Sequence, residues 1–152
     1  MNELFISAET ILNGLSEGVY VCDRNRRIVF WSQSAERITG WQADDVVGKR
    51  CLEDILCHVD KDGHRLCGKE YCPLHRAMIT GATTNVPVIV FAQGKDGRRI
   101  PTQVTTSPIR NAAGEVIGGE AAIWIRLYAV ATLLYVVVPR ALLALRLGRV
   151  CA

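Results

Sequence analysis

The chain has 152 residues, the size of one ordinary domain with little room for a second. Its 49% hydrophobic and 22% charged residues are typical of a folded globular protein and exclude a disordered one. Residues 121–152 hold four of the 18 basic residues and no acidic one, which leaves 14 basic against 15 acidic residues in the rest. The main body therefore lacks a basic excess, and we predict no nucleic-acid partner.

The N-terminal stretch MNELFISAETILNGL does not have the features of a secretory signal. It has no basic start, no continuous apolar core and no small-residue cleavage site. We therefore expect a cytoplasmic protein, in which the six cysteines are reduced by default.

Residues 1–16 are predicted to form an amphipathic helix. Leucine, alanine and isoleucine recur there at helical spacing, and Asn13-Gly14 is a stop signal. The apolar stripe consists of Leu4, Ala8, Ile11, Leu12 and Leu15. Such a face needs a partner, so we expect it to pack on the domain or to form the contact of a homodimer.

Residues 17–126 are predicted to be the main domain, which opens with a hairpin. The β-rich runs at 18–23 and 27–32 are separated by turn-forming Asp23 and Asn25. Short helical pieces follow: one ends at Gly40, one ends at Gly48, one is CLEDILCHV at 51–59, and one runs from Pro73 to Gly81.

Three further β-rich runs, at 83–93, 98–109 and 115–125, are joined by the tight turns KDG and NAAG. Strands, then short helices, then strands is an α+β order rather than an alternating one. We expect an antiparallel sheet with helices on one side.

Residues 127–152 form an apolar tail that contains arginines. Its longest apolar run, 127–138, is shorter than the roughly twenty residues that span a membrane. Four interpretations stay open: a helix packed on the domain or a dimer partner, a transmembrane segment, an exposed or membrane-surface segment, or sequence that is not a native functional element.

The stretch from Cys51 to Cys72 is the candidate metal site, because thiolates suit zinc or an iron–sulfur cluster. Its four cysteines are Cys51, Cys57, Cys67 and Cys72. Only Cys67 and Cys72 have the short separation that zinc sites prefer, so buried reduced thiols and a redox-active thiol pair remain alternatives. The DKDG sequence at 60–63 lacks the spacing of a calcium loop and predicts a turn.

The order of elements, with GVYVCDRNRRIVFWSQSAERITGWQADDVVGK near one end and KDGRRIPTQVTTSPIRNAAGEVIGGEAAI near the other, resembles the PAS family over about residues 5 to 125. The resemblance implies a five-stranded antiparallel sheet with short helices on one face, around a pocket that in some members holds haem, flavin or a metabolite. It also implies a sensor without catalytic activity. Expected partners are a second copy and an output domain such as a histidine kinase or a cyclic-dinucleotide enzyme.

A bacterial PAS subtype with the pattern C…L.H.D..G..LC…CPL resembles this chain more specifically. The matching residues are Cys51, Leu56, His58, Asp60, Gly63, Leu66, Cys67, Cys72, Pro73 and Leu74. By resemblance, His75 lies on the helix that supplies the haem ligand in haem-binding members. Cys51 lies where flavin-binding members carry their reactive cysteine, although Arg50 and LEDI replace the polar residues of that flavin site.

We therefore predict a sensory module that binds a small ligand or senses redox or metal state. It would signal through protein contacts. The alternatives are a metal- or iron–sulfur-based redox sensor that uses the cysteine cluster, and a thiol oxidoreductase. The last lacks the close C-x-x-C pair of such enzymes.

Overall fold

The computed structural model describes residues 7–68, 71–84 and 86–124. Its elements are α1 (Ala8–Gly14), β1 (Gly18–Asp23), β2 (Ile28–Trp31), α2 (Gln33–Thr39), α3 (Ala43–Val46), α4 (Pro73–Thr80), β3 (Val88–Gln93), β4 (Arg99–Arg110) and β5 (Val116–Trp124). The strands form one antiparallel sheet in the order β2-β1-β5-β4-β3. The predicted α+β fold is confirmed.

The helices cover one face of this sheet and enclose the core. Helix α2 contacts β1, α3 contacts β2, and α4 contacts β4 and β5. Alternate residues of each strand point to this face, as the two-residue period of a strand requires. The core side chains of the sheet include Tyr20, Cys22, Val90, Ala92, Val104, Ala121 and Ile123.

The predicted hairpin between β1 and β2 is present, and one carboxylate shapes its turn. Asp23 Oδ1 accepts hydrogen bonds from the backbone N–H groups of Asn25 and Arg27, each at 2.8 Å. Arg26 adopts a positive φ of 62° inside the turn. Asp23 thus holds the chain reversal that its position in the sequence indicated.

The helix ends follow the predicted signals in α2 and α4. Gly40 and Gly81 follow these helices in the left-handed conformation, with φ of 76° and 65°, which costs glycine little. The start of α2 depends on Ser32, whose Oγ accepts from the backbone N–H of Ala35 at 3.2 Å.

The helix predicted over residues 51–59 is wrong, because this segment forms a series of turns. Asp54 and Cys57 have positive φ values of 54° and 38°, which a right-handed helix does not allow. Helix α1 is described only from Ala8, and Leu4 of its predicted stripe lies outside the described residues.

Two glycines of β5 let its neighbours approach closely. A Cβ on Gly118 would lie 2.3 Å from the backbone oxygen of Cys22, and one on Gly119 would lie 2.8 Å from Leu74 Cδ1. Both distances are below van der Waals contact. Glycine at these positions therefore brings β1 and α4 against the last strand.

Within the described part of the chain, no helix has both the length and the apolarity to span a membrane. The tail at 127–152 lies outside the described residues.

Candidate functional site

The segment that carries His58 is bound to the edge of the sheet. Val59 exchanges backbone hydrogen bonds with Phe91 of β3, at 3.0 and 2.9 Å. The backbone N–H of Leu66 donates to the His58 carbonyl at 2.8 Å. Between Val59 and Leu66, the predicted turn is present, since the Gly63 N–H donates to the Asp60 carbonyl at 3.1 Å.

This arrangement turns the His58 side chain into the core. The residue is 6% exposed, and its Nε2 has no hydrogen-bond partner among the described residues. Burial, and secondarily the nearby positive charge of Arg99, lowers the pKa of His58 to about 4. The imidazole is therefore neutral at pH 7, with an unsatisfied polar atom of the kind that a ligand or a water molecule commonly pairs.

His58 lines a cavity between the sheet and the start of α4. The other lining residues are Tyr20, Cys72, Pro73, Leu74, Val90, Val104 and Thr106. The cavity volume is about 10 Å³, close to the minimum that admits one water molecule. Haem and flavin do not fit this space.

His75, the predicted haem ligand, is half-buried on α4 and does not line this cavity. The histidine at the cavity wall is His58 instead. The sequence signal for His58 was its place within the subtype pattern, but its inward orientation depends on the pairing with β3. A haem-binding role for His75 stays a prediction.

Three of the four predicted metal ligands are buried: Cys51, Cys67 and Cys72. Burial raises the pKa of Tyr20, and the charges of these three sulfurs raise it further. The three thiols are therefore grouped electrostatically around one tyrosine of β1. The fourth, Cys57, is half-buried and lies beside Asp54, with Sγ 3.5 Å from Oδ1.

The four sulfurs do not meet at one point. A single group of three metal-ligating side chains in the described residues has its ligand atoms within 4.8 Å of one another, and it consists of Asp60, Asp62 and His64. Tetrahedral zinc has sulfur at about 2.3 Å, so the cysteines as placed do not form such a site. Their role as metal ligands stays a prediction.

A fourth buried cysteine was missed as a candidate site residue. Cys22 of β1 is 0% exposed and belongs to the same core cluster as Tyr20, Cys51 and Cys72. Interaction with the Cys51 thiol, and then burial, raises the pKa of Cys22. Interaction with the Cys22 thiol lowers the pKa of Cys51 against the opposite effect of burial, and the positive charge of Arg26 lowers it further. The alternation of β1 could have indicated that Cys22 faces the core together with Tyr20.

The thiols of Cys67 and Cys72 are protonated at neutral pH. Burial raises the pKa of Cys67 to about 12 and also raises the pKa of Cys72. The Cys67 sulfur accepts a hydrogen bond from the backbone N–H of His58 at 3.2 Å. Cys67 thus supports the cavity wall rather than acting as a nucleophile.

The sheet order, the helices on one face and the enclosed cavity define a small α+β domain. Residues 8–122 match the family described as the PAS fold, and the chain therefore belongs to this family. No curated protein sequence gave a significant match.

Solved structures share this fold at low identity. The VqmA dimer of Vibrio cholerae aligns with a TM-score of 0.63 at 18% identity, over 82% of this chain and 53% of that one. A PAS domain from Colwellia psychrerythraea gives a TM-score of 0.61 at 14% identity, over 76% and 90%. An RNA-binding Light-Oxygen-Voltage receptor gives a TM-score of 0.61 at 20% identity, over 82% and 35%. The chain thus spans about a third of the receptor and about half of VqmA.

Proposed function

We propose that this PAS domain is the non-catalytic sensory module of a signalling protein and binds a small ligand in the cavity lined by His58. The observation that carries the proposal is the neutral, buried imidazole whose Nε2 has no partner among the described residues. An unsatisfied buried polar group costs about 1–3 kcal/mol. A ligand that hydrogen-bonds to Nε2 recovers this free energy.

The helical side of the cavity offers a route to a larger ligand. Its wall there consists of His58 and the first residues of α4, whereas the opposite wall is the hydrogen-bonded sheet. Ligand binding would move the wall formed by His58 and α4 more easily than the sheet, because turns open at lower free energy than central strands. Ligand binding would thus produce a signal as a displacement of α4.

Native mass spectrometry of the full chain, purified without oxygen, tests this function. We expect a non-covalent adduct on the wild type and on His64→Ala, whose histidine is exposed, and its loss in His58→Phe. The absence of an adduct on the wild type, or an equal adduct on His58→Phe, would overturn the proposal.

A second candidate function is metal-dependent redox sensing by Cys51, Cys57, Cys67 and Cys72. The burial of three of these thiols around Tyr20 favours it. Ligation would require the Cys57 side chain to turn inward. Metal analysis of the same sample should then find zinc, or iron with sulfide, which the double variant Cys67→Ser/Cys72→Ser lacks. A metal-free and folded wild type would exclude this candidate.

We also propose that the module works as a homodimer through α1. Helix α1 has no buried residue, and Ile11 on it and Leu15 directly after it are 56% and 39% exposed. A dimer contact would remove this apolar surface from water. VqmA of Vibrio cholerae, which shares the fold, is a dimer.

Light scattering with Ile11→Asp tests the dimer. Val29→Asp is the matched control, since Val29 is a similarly exposed residue on β2, 52% exposed. A dimer that dissociates only with Ile11→Asp supports the proposal, and a monomeric wild type contradicts it.

The output partner is proposed to be a separate domain or protein, such as a histidine kinase or a cyclic-dinucleotide enzyme. Among the proteins of similar fold, one is an RNA-binding receptor and another, VqmA, has a target DNA. These two relatives argue against the expectation that the chain has no nucleic-acid partner.

A further inference from the structure

A second cavity lies between the end of α2 and the turn that joins β3 to β4, and its volume is about 400 Å³. It shares no lining residue with the His58 cavity. Pockets of this volume hold small ligands, whereas the His58 cavity, at about 10 Å³, admits one water molecule. The larger cavity thus has room for a small organic molecule without any movement of the fold.

The backbone ties the two walls of this second cavity together. The Lys95 N–H donates to the Thr39 carbonyl at 2.9 Å, which joins the turn to the last residue of α2. Glycine at position 94 permits this close approach, because a Cβ on Gly94 would lie 3.2 Å from the Thr39 backbone oxygen and 3.1 Å from Ile100 Cδ1. The separation of the two walls is therefore set by the fold.

Basic side chains dominate the wall of the cavity. Arg37 lies on the α2 side, Lys95 and Arg98 lie on the side of the turn, and the one acid is Asp96. Three cations and one carboxylate give the wall a net charge of +2. Lys95 Nζ is 2.6 Å from Oδ2 of Asp45 outside the wall, and both side chains of this pair are partly exposed. Exposed ion pairs are weak, so Lys95 can still contribute its charge to a bound anion.

The two arginines keep hydrogen-bond donors available. Arg98 donates through Nε to the Asp96 carboxylate, and its Nη1 and Nη2 have no hydrogen-bond partner among the described residues. Arg37 donates through Nη2 to Ser34 Oγ at 2.6 Å and forms no ion pair within the described part of the chain. Each wall of the cavity thus carries one guanidinium group that can bind an anion.

The cavity also has an apolar surface. Ile38 of α2 and Ile100 of β4 line it, and both are half-buried. A molecule that carries both an anionic group and an apolar portion can contact the arginines and also remove this apolar surface from water.

We propose that this cavity binds a phosphate monoester, with its phosphate between Arg37 and Arg98 and its organic group on Ile38 and Ile100. The phosphate carries a charge of about −1.5 to −2 at neutral pH, which complements the net charge of +2 on the wall. Its oxygens also match the planar fork of a guanidinium. A carboxylate would supply a single charge. The proposal does not depend on a ligand in the His58 cavity, because the two cavities share no residue.

Isothermal titration calorimetry of the full chain with phenyl phosphate tests this site. The probe combines a phosphate group with one apolar ring. We expect one molecule to bind per chain, and the affinity to fall by about tenfold or more in Arg37→Gln and in Arg98→Gln, because each variant loses a charge-assisted hydrogen bond. Phenol, which lacks the phosphate, and benzoate, which has a single charge, should bind more weakly than phenyl phosphate.

Arg76→Gln is the matched control, since Arg76 is an exposed arginine of α4 outside the cavity. This variant and His58→Phe should bind phenyl phosphate like the wild type, so this experiment and the adduct experiment can fail independently. The proposal would be overturned by a wild type that does not bind the probe, by an unchanged affinity in either Arg37→Gln or Arg98→Gln, or by equally tight binding of phenol or benzoate. An equal loss of affinity in Arg76→Gln would also overturn it.

Circular dichroism checks the fold of each variant. Arg37 and Arg98 are both exposed, so their glutamine variants should fold like the wild type. If one of the two does not fold, the other decides together with the comparison of phenyl phosphate, phenol and benzoate on the wild type.

Discussion

The backbone N–H of His58 donates to the sulfur of Cys67 at 3.2 Å, and the carbonyl of His58 accepts from the Leu66 N–H at 2.8 Å. Both backbone groups of His58 are therefore hydrogen-bonded to the segment that follows the Asp60 turn. This pairing fixes the backbone of His58 while its Nε2 stays without a partner in the described residues. The contact between His58 and Cys67 thus stabilises the wall of the cavity.

Replacing Cys67 should test this contact directly. We expect Cys67→Ala to lower the free energy of unfolding by about 1–3 kcal/mol, because the buried His58 N–H loses its acceptor. Cys67→Ser keeps an acceptor and should cost less. Urea unfolding measures both, with Cys57→Ser as a control that should change little. An equal loss in the alanine and serine variants would contradict this role of the sulfur.

Acid should destabilise the domain through His58. Its pKa is about 4 in the folded state against an ordinary 6.5, so the unfolded chain takes up the proton first as the pH falls. The stability is fully present above pH 6.5 and is lost between about pH 6.5 and 4, by roughly 3 kcal/mol in total. Melting curves across this range should show the loss.

His58→Gln should remove this part of the pH dependence, since it has no titrating group. His64→Gln is the control, because His64 is exposed beside Asp60. Both variants need to be compared at several pH values. The same acid loss in His58→Gln and in the wild type would assign the effect to other groups.

Ser32 should be worth more to stability than Ser7, although both begin a helix. Ser32 is buried, and its Oγ accepts from Ala35 N at 3.2 Å and from Val19 N at 2.9 Å. Ser7 is exposed and accepts only from Thr10 N, at 3.1 Å, among backbone donors of the described residues. We expect Ser32→Ala to cost about 1–3 kcal/mol and Ser7→Ala about 0.5–1 kcal/mol. Equal losses of unfolding free energy in chemical denaturation would show that the hydrogen bond from Val19 N–H to Ser32 Oγ adds nothing to stability.

Gly118 should not tolerate a methyl group. The added Cβ of Gly118→Ala would lie 2.3 Å from the Cys22 oxygen, so β1 and β5 must separate, at a cost of about 1–3 kcal/mol. Gly14→Ala is the matched control, because the space around Gly14 is open. Thermal unfolding should show a lower melting temperature for Gly118→Ala alone. If both variants melt like the wild type, β1 and β5 are not in tight contact.

Local signals predicted most of the fold because they act over a few residues. Asp23 and Asn25 marked the turn, and Gly40, Pro73 and Gly81 marked helix boundaries, where the backbone itself selects the residue type. The same signals failed at 51–59. Leucine and isoleucine there have helical spacing, but Asp54 and Cys57 have positive φ values, and the segment continues to Val59, which pairs with Phe91 of β3.

The candidate site was less accessible to sequence-based reasoning. Three of the four chosen cysteines are buried together, but Cys57 remained near the surface, and spacing along the chain could not show which way its side chain points. His75 was chosen by resemblance, while His58 has the buried imidazole. Side-chain orientation in a turn is decided by hydrogen bonds to distant residues such as Phe91.

Apart from the turns at 51–59, the sequence by itself determined the order of strands and helices, since two-residue alternation, turn residues and helix caps are local properties of the backbone. The tertiary structure alone decided which thiols share the core. Cys22 and Cys51 lie in one buried cluster, because β1 pairs with β2 and the segment at 48–51 pairs with the same hairpin. This packing joins residues far apart in the chain, and its free energy depends on burial that no short stretch of sequence contains.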